Sequence, residues 1–325
     1  MLTASAVARA NIALAKYGGK SDVALNLPAV PSISLTLDGL VTETRVTFDP
    51  ALRADRLRLD GREAGAAETA RVTEMLDRVR HAARLPLRAL VESENRFPTA
   101  AGLASSASGF AALAAAACAA AGLQWHDRRL SALARQSSAS AARSIFGGFA
   151  ELPAGRPGQA ALAARPLFGP DHWDLRLVVA VAAKGPKKVG STRGMEHSRR
   201  TSPFYAAWVA DAPRLTRRIR AALRRRDLDV LGRAMEQSTL SFHACAMASD
   251  PAIVYFRPAT LAALATVHDL RERGVAVYAT MDAGPHVKAL CHARDAGRVR
   301  RALAATDGVL DTLVARAGKG VEVHR

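Results

Sequence analysis

Cysteine is scarce in these 325 residues, and the three present, Cys118, Cys245 and Cys291, lie far apart. With no CxxC pair, the sequence offers neither a zinc-site spacing nor a disulfide framework. Aromatic residues make up only 5% of the chain, so the core is expected to be aliphatic and rich in alanine. No charged n-region with a long apolar stretch opens the sequence, so no signal peptide is expected. No long run of large apolar residues is present either, which argues against a membrane span. The expected location is the cytoplasm. Repeats and low-complexity linkers are absent. So are the GxxxxGK[ST] pattern of a Walker A loop and the GxSxG elbow of serine hydrolases. His243 and His286 show no metal-ligand spacing.

Acidic residues are outnumbered 29 to 46 by lysine and arginine, a formal charge of +17. An excess of that size suggests an anionic partner: nucleic acid, a membrane surface or a phosphorylated substrate. The densest basic run, RRIRAALRRR at 217–226, has helical spacing, and a solvated helix face accounts for it. The sequence holds no aromatic stacking platform or RNP-like motif, so a nucleic-acid-binding protein is only a distant alternative. A small anionic substrate is the favoured partner, with neither nucleic acid nor membrane.

Hydrophobic residues make up 49% of the chain, enough for a substantial core. Ile33, Leu35 and Leu37 alternate with polar residues as in a half-buried strand, and 41–48 and 57–59 continue a strand-rich opening. Helical spacing covers 67–83, and 87–91 reads as a strand leading into a loop at 95–104. Residues 108–121 form an apolar, buried helix that Gly122 stops. A buried strand at 175–182 precedes a polar loop. Helices follow at 203–226, 228–247 and 259–273, with strands at 275–280 and 287–291 around the turn Asp282-Ala283-Gly284-Pro285. A boundary near residue 180 gives two domains, 1–180 and 181–325.

Five stretches could carry chemistry. In PTAAGLASSASG at 98–109, small residues let the backbone approach an anion, and a helix N-terminus adds free N–H groups. Ser105, Ser106 and Ser108 supply hydroxyls for phosphate oxygens or Mg²⁺; a flexible Ala/Ser connector is the other reading. Lys16 and Lys20, with Tyr17 between, could clamp a phosphate and a carboxylate or form an ordinary basic turn. SSASAARSIFGG at 137–148 is a second small-residue patch and carries Arg143, which binds oxyanions bidentately; it also fits a serine-capped helix start. Asp282 ends a hydrophobic strand at a tight turn, a place suited to a site and also to a routine turn former. Lys184, Lys187, Lys188, Ser191 and Arg193 form a polar loop after a buried strand.

Taken in order, NIALAKYGGK, NRFPTAAGLASSASG, SSASAARSIFGGFAEL, GSTRGM with Thr201-Ser202-Pro203, and MDAGP resemble the successive motifs of the diphosphomevalonate decarboxylases, a family of the GHMP kinase superfamily. The resemblance spans almost the whole chain. It implies an α+β GHMP kinase fold, with a ribosomal-S5-domain-2-like N-terminal domain and a ferredoxin-like C-terminal domain. It implies ATP and Mg²⁺ as cofactors, a homodimer, and phosphorylation of the 3-hydroxyl of 5-diphosphomevalonate followed by loss of phosphate and CO₂. Decarboxylation of 5-phosphomevalonate, or 3-phosphorylation of mevalonate alone, are sibling alternatives. The resemblance assigns catalysis to Asp282, Lys16 and Arg143. Substrate binding goes to Tyr17, Lys20, Ser138, Ser140, Ser191, Arg193 and Met195. Nucleotide binding goes to Ala101, Gly102, Leu103, Ala104, Ser105, Ser106 and Ser108. Relatives usually have tryptophan at Gly18, Gly-Ser-Gly-Ser at 137–140 and asparagine at His286.

Overall fold

The computed structural model describes residues 1–96, 105–185 and 189–324. Its first sheet is built on two long strands, β1 (Leu2–Ala15) and β4 (Ser32–Asp49), paired antiparallel from Leu2↔Phe48 to Ala15↔Ile33. A short hairpin lies between them, β2 (Lys20–Asp22) with β3 (Leu27–Pro28). The sheet is completed by β5 (Arg56–Leu59), β6 (Arg62–Glu63) and β7 (Arg88–Asn95) on one flank. The first half of β4 instead pairs with β8 (Phe149–Leu152), which pairs with β9 (Arg165–Phe168).

Helices α1 (Ala66–Ala83), α2 (Ser105–Ala120), α3 (Asp127–Ser137) and the single turn α4 (Ala141–Ser144) accompany this sheet. In α1, Val72, Met75, Leu76 and Val79 recur at helical spacing and are buried. All the alanines of α2 except Ala119, together with Cys118, are buried, because α2 lies against β1 and β4 and is flanked by α1, α3 and α4. Small side chains are what permit so many neighbours around one helix.

The second sheet is antiparallel, in the order β11 (Val277–Thr280), β12 (Val287–His292), β10 (Leu175–Val181), β13 (Asp311–Arg316). The chain therefore changes sheets ahead of Leu175. The last strand, β14 (Glu322–His324), returns to pair with β1. Helices α5 (Ser191–Thr201), α6 (Tyr205–Arg225), α7 (Leu228–Met247), α8 (Pro258–Glu272) and α9 (Ala296–Ala304) belong to this half. In α6 the apolar Leu215, Ile219, Ala222 and Leu223 face inward while Arg217, Arg218, Arg224 and Arg225 are exposed. Apart from Arg220, which pairs with the buried Glu151, the basic run is the solvated face expected of it.

Ser191 and Arg193 are not in a loop as expected, but in the first turn of α5. Composition there (Gly, Ser, Thr, Arg) favours a loop; burial of Gly194 and Ser198 along one side holds it helical.

Apolar residues of β1 and β4 (Ile12, Leu14, Ile33, Leu35) share one core with β10, α6 and α7. This shared core fixes the end of β1 against the end of β11. Two polar contacts pin the junction: the Lys16 backbone N–H donates to Ser238 Oγ of α7 at 2.9 Å, and Thr280 Oγ1 donates to the Ala13 carbonyl at 3.3 Å.

Candidate active site

Lys16 follows β1 and Asp282 follows β11, so the junction of the two sheets brings them together. Lys16 Nζ donates to Asp282 Oδ1 at 2.8 Å and to the Ala13 carbonyl at 2.8 Å. Lys288 of β12, which the motifs did not single out, donates to Asp282 Oδ2 at 2.9 Å. Both lysines are buried, whereas the Asp282 side chain is 27% exposed and faces a cavity of about 790 Å³. Burial alone would raise the Asp282 carboxyl, but the two ammonium charges and their hydrogen bonds outweigh it and hold it below the ordinary carboxylate range. Burial lowers Lys16 to about 8, against the opposing pull of Asp282.

Arg143 sits in α4 on the same cavity wall and is 2% exposed. Its Nε donates to Ser34 Oγ at 2.9 Å and its Nη1 to Ser32 Oγ at 2.6 Å. Asn11 lies beside it, donating to Ser144 Oγ at 2.7 Å and the Ser140 carbonyl at 2.9 Å. Burial lowers Arg143 to about 10, so it stays cationic at neutral pH. No carboxylate hydrogen-bonds it among the described residues, so hydroxyls orient the guanidinium without neutralising it. An anion in the cavity would supply the missing charge.

Tyr17, Lys20, Ser138, Ser140, Ser191, Arg193 and Met195 all line this cavity, as does Ser106. The structure therefore gathers eleven of the expected residues around one space. Ser138 and Ser140 hydroxyls stand 3.0 Å apart. The Ser137 hydroxyl is buried without a partner among the described residues, and Ala139 is 4% exposed. Ser137 and Ala139 line the same cavity, and the patch offers it the Ser138 and Ser140 hydroxyls. His286, in place of asparagine, accepts a hydrogen bond at Nδ1 from the Ala182 backbone N–H at 3.1 Å. It ties the Asp282 turn to the end of β10.

Gly18 is explained by α6. A Cβ at Gly18 would come 2.0 Å from the Trp208 ring, and one at Gly19 (φ +71°) 1.8 Å from the Tyr205 hydroxyl. The Trp208 ring of α6 occupies the space that a side chain at 18 would need. Gly18→Ala should therefore displace a buried ring, costing ~1–3 kcal/mol. Thermal unfolding would read this as a lowered Tm, restored in part by adding Trp208→Leu; an unchanged Tm would show the ring is free to move.

A second cavity, about 210 Å³, opens between α1, α2 and strands β4, β5 and β7. Apolar Leu57, Val72 and Leu113 alternate around it with Thr44, Ser93 and Asn95. Ser105 lines this cavity, and Ser106 and Arg71 line both. Ser108 lines neither: its hydroxyl is 2.6 Å from Thr42 Oγ1 and 3.2 Å from the Ser105 carbonyl, and the residue is fully buried. Three residues after Ser105, the helix turns this side chain inward against Thr42. Ala101, Gly102, Leu103 and Ala104, like Lys187 and Lys188, lie outside the described residues.

Among the described residues the cavity lining carries Lys16, Lys20, Arg71, Arg78, Arg143 and Arg193 against Asp282 and Glu74. A cleft so charged concentrates anions. Arg71 and Arg78 were not foreseen, because on a surface helix an arginine gives no signal of its own. Lys288 had a signal: a lone charge inside the apolar run VKALC.

The comparisons with known proteins agree with this geometry. A family model described as diphosphomevalonate decarboxylase-like N-terminal domain matches residues 8–163, and one described as mevalonate 5-diphosphate decarboxylase C-terminal domain matches 177–312. Diphosphomevalonate decarboxylase of Ganoderma lucidum is 37% identical over 312 residues, covering 87% of this chain and 76% of that one. The Eremothecium gossypii enzyme of the same name is 36% identical, covering 95% and 82%. The crystal structure of mevalonate diphosphate decarboxylase from Staphylococcus aureus superposes with a TM-score of 0.94 at 38% identity, over 99% of this chain and 98% of that one. MDDEF, solved in complex with MVAPP, AMPPCP and magnesium, gives 0.93 at 38% identity, over 100% and 99%. The fold is the α+β GHMP kinase fold expected from the motifs. Matched by family models in both halves and by relatives along most of its length, the chain belongs to the diphosphomevalonate decarboxylase family.

Proposed function

We propose that the chain catalyses the ATP-dependent decarboxylation of 5-diphosphomevalonate to isopentenyl diphosphate, phosphorylating the 3-hydroxyl on the way. The observation that carries this reading is the meeting of Asp282, Lys16 and Arg143 on a cationic cavity that Ser106 and Arg71 join to a second, half-apolar one. Two adjoining cavities fit two substrates, a nucleotide and a polyanion.

The chemistry needs a better leaving group than hydroxide, so the tertiary alcohol is first converted to a phosphate ester. Its oxygen takes the γ-phosphoryl group, ADP leaves, and the hydroxyl proton is released. Asp282 accepts the hydroxyl's hydrogen bond and aims the oxygen. Held so acidic, it is a weak base, which suits a loose phosphoryl transfer where the proton leaves late. Lys16 places positive charge beside the transferred group. Breaking the C–O bond then expels phosphate and leaves a tertiary cation. The C–C electrons of the neighbouring carboxylate form the alkene, and CO₂ departs. Arg143 holds that carboxylate in line.

Tyr17, whose burial raises it to about 12 and keeps it a neutral donor, joins Lys20, Ser138, Ser140 and Arg193 around the diphosphate. Ser191, at the N-terminus of α5, adds a hydroxyl and the positive end of a helix dipole, and Met195 an apolar contact. The Ser105 and Ser106 hydroxyls at the start of α2 would hold Mg²⁺ beside the nucleotide phosphates. When bound, that ion screens the phosphate charge during transfer.

Lys20→Ala should raise the KM for the diphosphate about 10- to 100-fold and leave kcat little changed, since the tail is bound alike in ground and transition states. Steady-state kinetics that show an unchanged KM would move the tail elsewhere. For the function itself, turnover of Mg-ATP with 5-diphosphomevalonate should yield ADP, phosphate and CO₂ in equal amounts. ADP without CO₂ would make the chain a 3-kinase. A homodimer and a cytoplasmic location belong to the same reading; light scattering of the purified chain tests the first.

A further inference from the structure

Lys288 stands outside the set of residues that the sequence motifs assign, yet it is as buried as any residue of the site. It is 2% exposed, lies on β12 between Val287 and Ala289 (both fully buried), and its ammonium meets the Asp282 carboxylate at 2.9 Å. A lysine in such a place is costly unless paired. Asp282 already has a counter-ion in Lys16, at 2.8 Å on its other oxygen. One carboxylate thus serves two buried ammoniums, and Arg143 adds a third buried cation on the same wall.

Packing alone does not account for this arrangement. A methionine or leucine would fill the Lys288 position without desolvating a charge. What Lys288 adds is a second grip on Asp282. Each carboxylate oxygen is tied to a different strand end, so the plane of the carboxylate is fixed, and the remaining lone pairs can be presented to the cavity. Neutralising Asp282 from behind also loosens its hold on Lys16.

We propose that Lys288 is a positioning residue for the reaction: the standing counter-ion of Asp282, which locks the carboxylate in its working orientation and leaves the Lys16 ammonium available to the transferred phosphoryl group. This rests on the function proposed above. Lys16 is the only residue of the pair that lines the cavity. It is therefore the one that can turn toward a ligand while Lys288 remains on Asp282.

The consequence shows in the titration of Lys16. Among the described residues, Asp282 beyond β11, Lys288 on β12, Arg143 on α4 and His243 on α7 face it. His243 is driven by burial, and next by the Lys16 charge, down to about 4, so it is neutral at working pH. Burial is the main cause lowering Lys16; Lys288 and Arg143 lower it further, and Asp282 alone raises it. Activity that needs the Lys16 ammonium is present below its pKa and lost as pH rises through it, near 8. Removing Lys288 takes away one lowering charge and leaves Lys16 as the only lysine on Asp282. Both changes move the alkaline limb upward.

The test compares pH profiles of kcat, from pH 6 to 10 on the order of half-unit steps, for the wild type, Lys288→Met and Lys288→Arg with Mg-ATP and 5-diphosphomevalonate. Wild-type turnover comes first: if the wild type releases neither CO₂ nor ADP, the functional reading fails, whatever Lys288 does. Given an active wild type, Lys288→Met should lose kcat on the order of 100-fold while its alkaline limb moves up by about one pH unit. The KM for ATP should hold within about threefold, as expected for an interaction made in the transition state. Lys288→Arg keeps the charge and should recover most of the kcat with a limb near the wild-type position. A residue that only fills space would give the reverse order, with Met benign and Arg harmful, and no movement of the limb; that result overturns the proposal. Should Lys288→Met fail to fold, Lys288→Gln carries the same comparison: an unmoved limb and near-wild-type kcat overturn the proposal, and a raised limb with lost kcat supports it.

Discussion

Asp282→Asn is expected to lower turnover by at least about 10³-fold while leaving the dissociation constant for ATP within about threefold. The substitution keeps the shape of the side chain and removes its charge. Lys16 and Lys288, at 2.8 and 2.9 Å, then become two buried ammoniums with no counter-ion between them. Breaking a buried pair in this way costs ~3–5 kcal/mol of stability, so Tm should fall along with activity. The second cavity, built from α1, α2, β4, β5 and β7, does not use Asp282. Nucleotide titration of the variant therefore separates the two effects. Substantial residual decarboxylation would remove Asp282 from the centre of the mechanism.

Arg143→Lys should be almost as severe, and its signature is different. The guanidinium is anchored by two separate donors, Nε on Ser34 and Nη1 on Ser32. An amine has the charge but lacks the fork, so it cannot hold both serines and the substrate carboxylate in one plane. A misplacement of about 1 Å at a reacting group costs on the order of 100-fold. Phosphoryl transfer depends on Asp282 and Lys16 instead. CO₂ release should thus fall about 10²- to 10³-fold, and ADP release much less. Parallel assays of the two products measure this uncoupling. ADP and CO₂ falling together would place Arg143 in the phosphoryl-transfer step.

Much of this site was legible in the sequence, because its residues fall at the ends of strands and the starts of helices, where turn chemistry leaves a pattern. Lys16-Tyr17 after an apolar strand, Arg143 after a serine patch and Asp282 before Ala-Gly-Pro are marks of that kind, and all three meet at the shared core of the two sheets. Residues that act from regular elements left weaker traces. Arg71 is an exposed helical arginine like many others, and only the folding of α1 beside α2 brings it to both cavities. Lys288 shows as a charge inside an apolar strand, but its partner six residues earlier is reached only through the β11–β12 turn. Ser108 belongs to a run of serines in the sequence, and in the helix its angle turns it toward Thr42. In the Ser191 segment, composition favoured a loop where tertiary packing made a helix. Long elements followed their periodicity closely, α7 and α8 among them, since an amphipathic pattern over four or five turns leaves one packing solution.

The measurement that bears most directly on the central claim is the release of CO₂ and ADP by the wild-type chain with Mg-ATP and three substrates in parallel: mevalonate, 5-phosphomevalonate and 5-diphosphomevalonate. A cavity that, among the described residues, sets six cationic side chains against two carboxylates should demand the diphosphate tail. The expected result is CO₂ and ADP in equal amounts from 5-diphosphomevalonate, with the other two substrates slower by at least about 100-fold, the loss that follows from missing charge-assisted hydrogen bonds. Equal or faster CO₂ release from 5-phosphomevalonate, or ADP without CO₂ from any of the three, would contradict it.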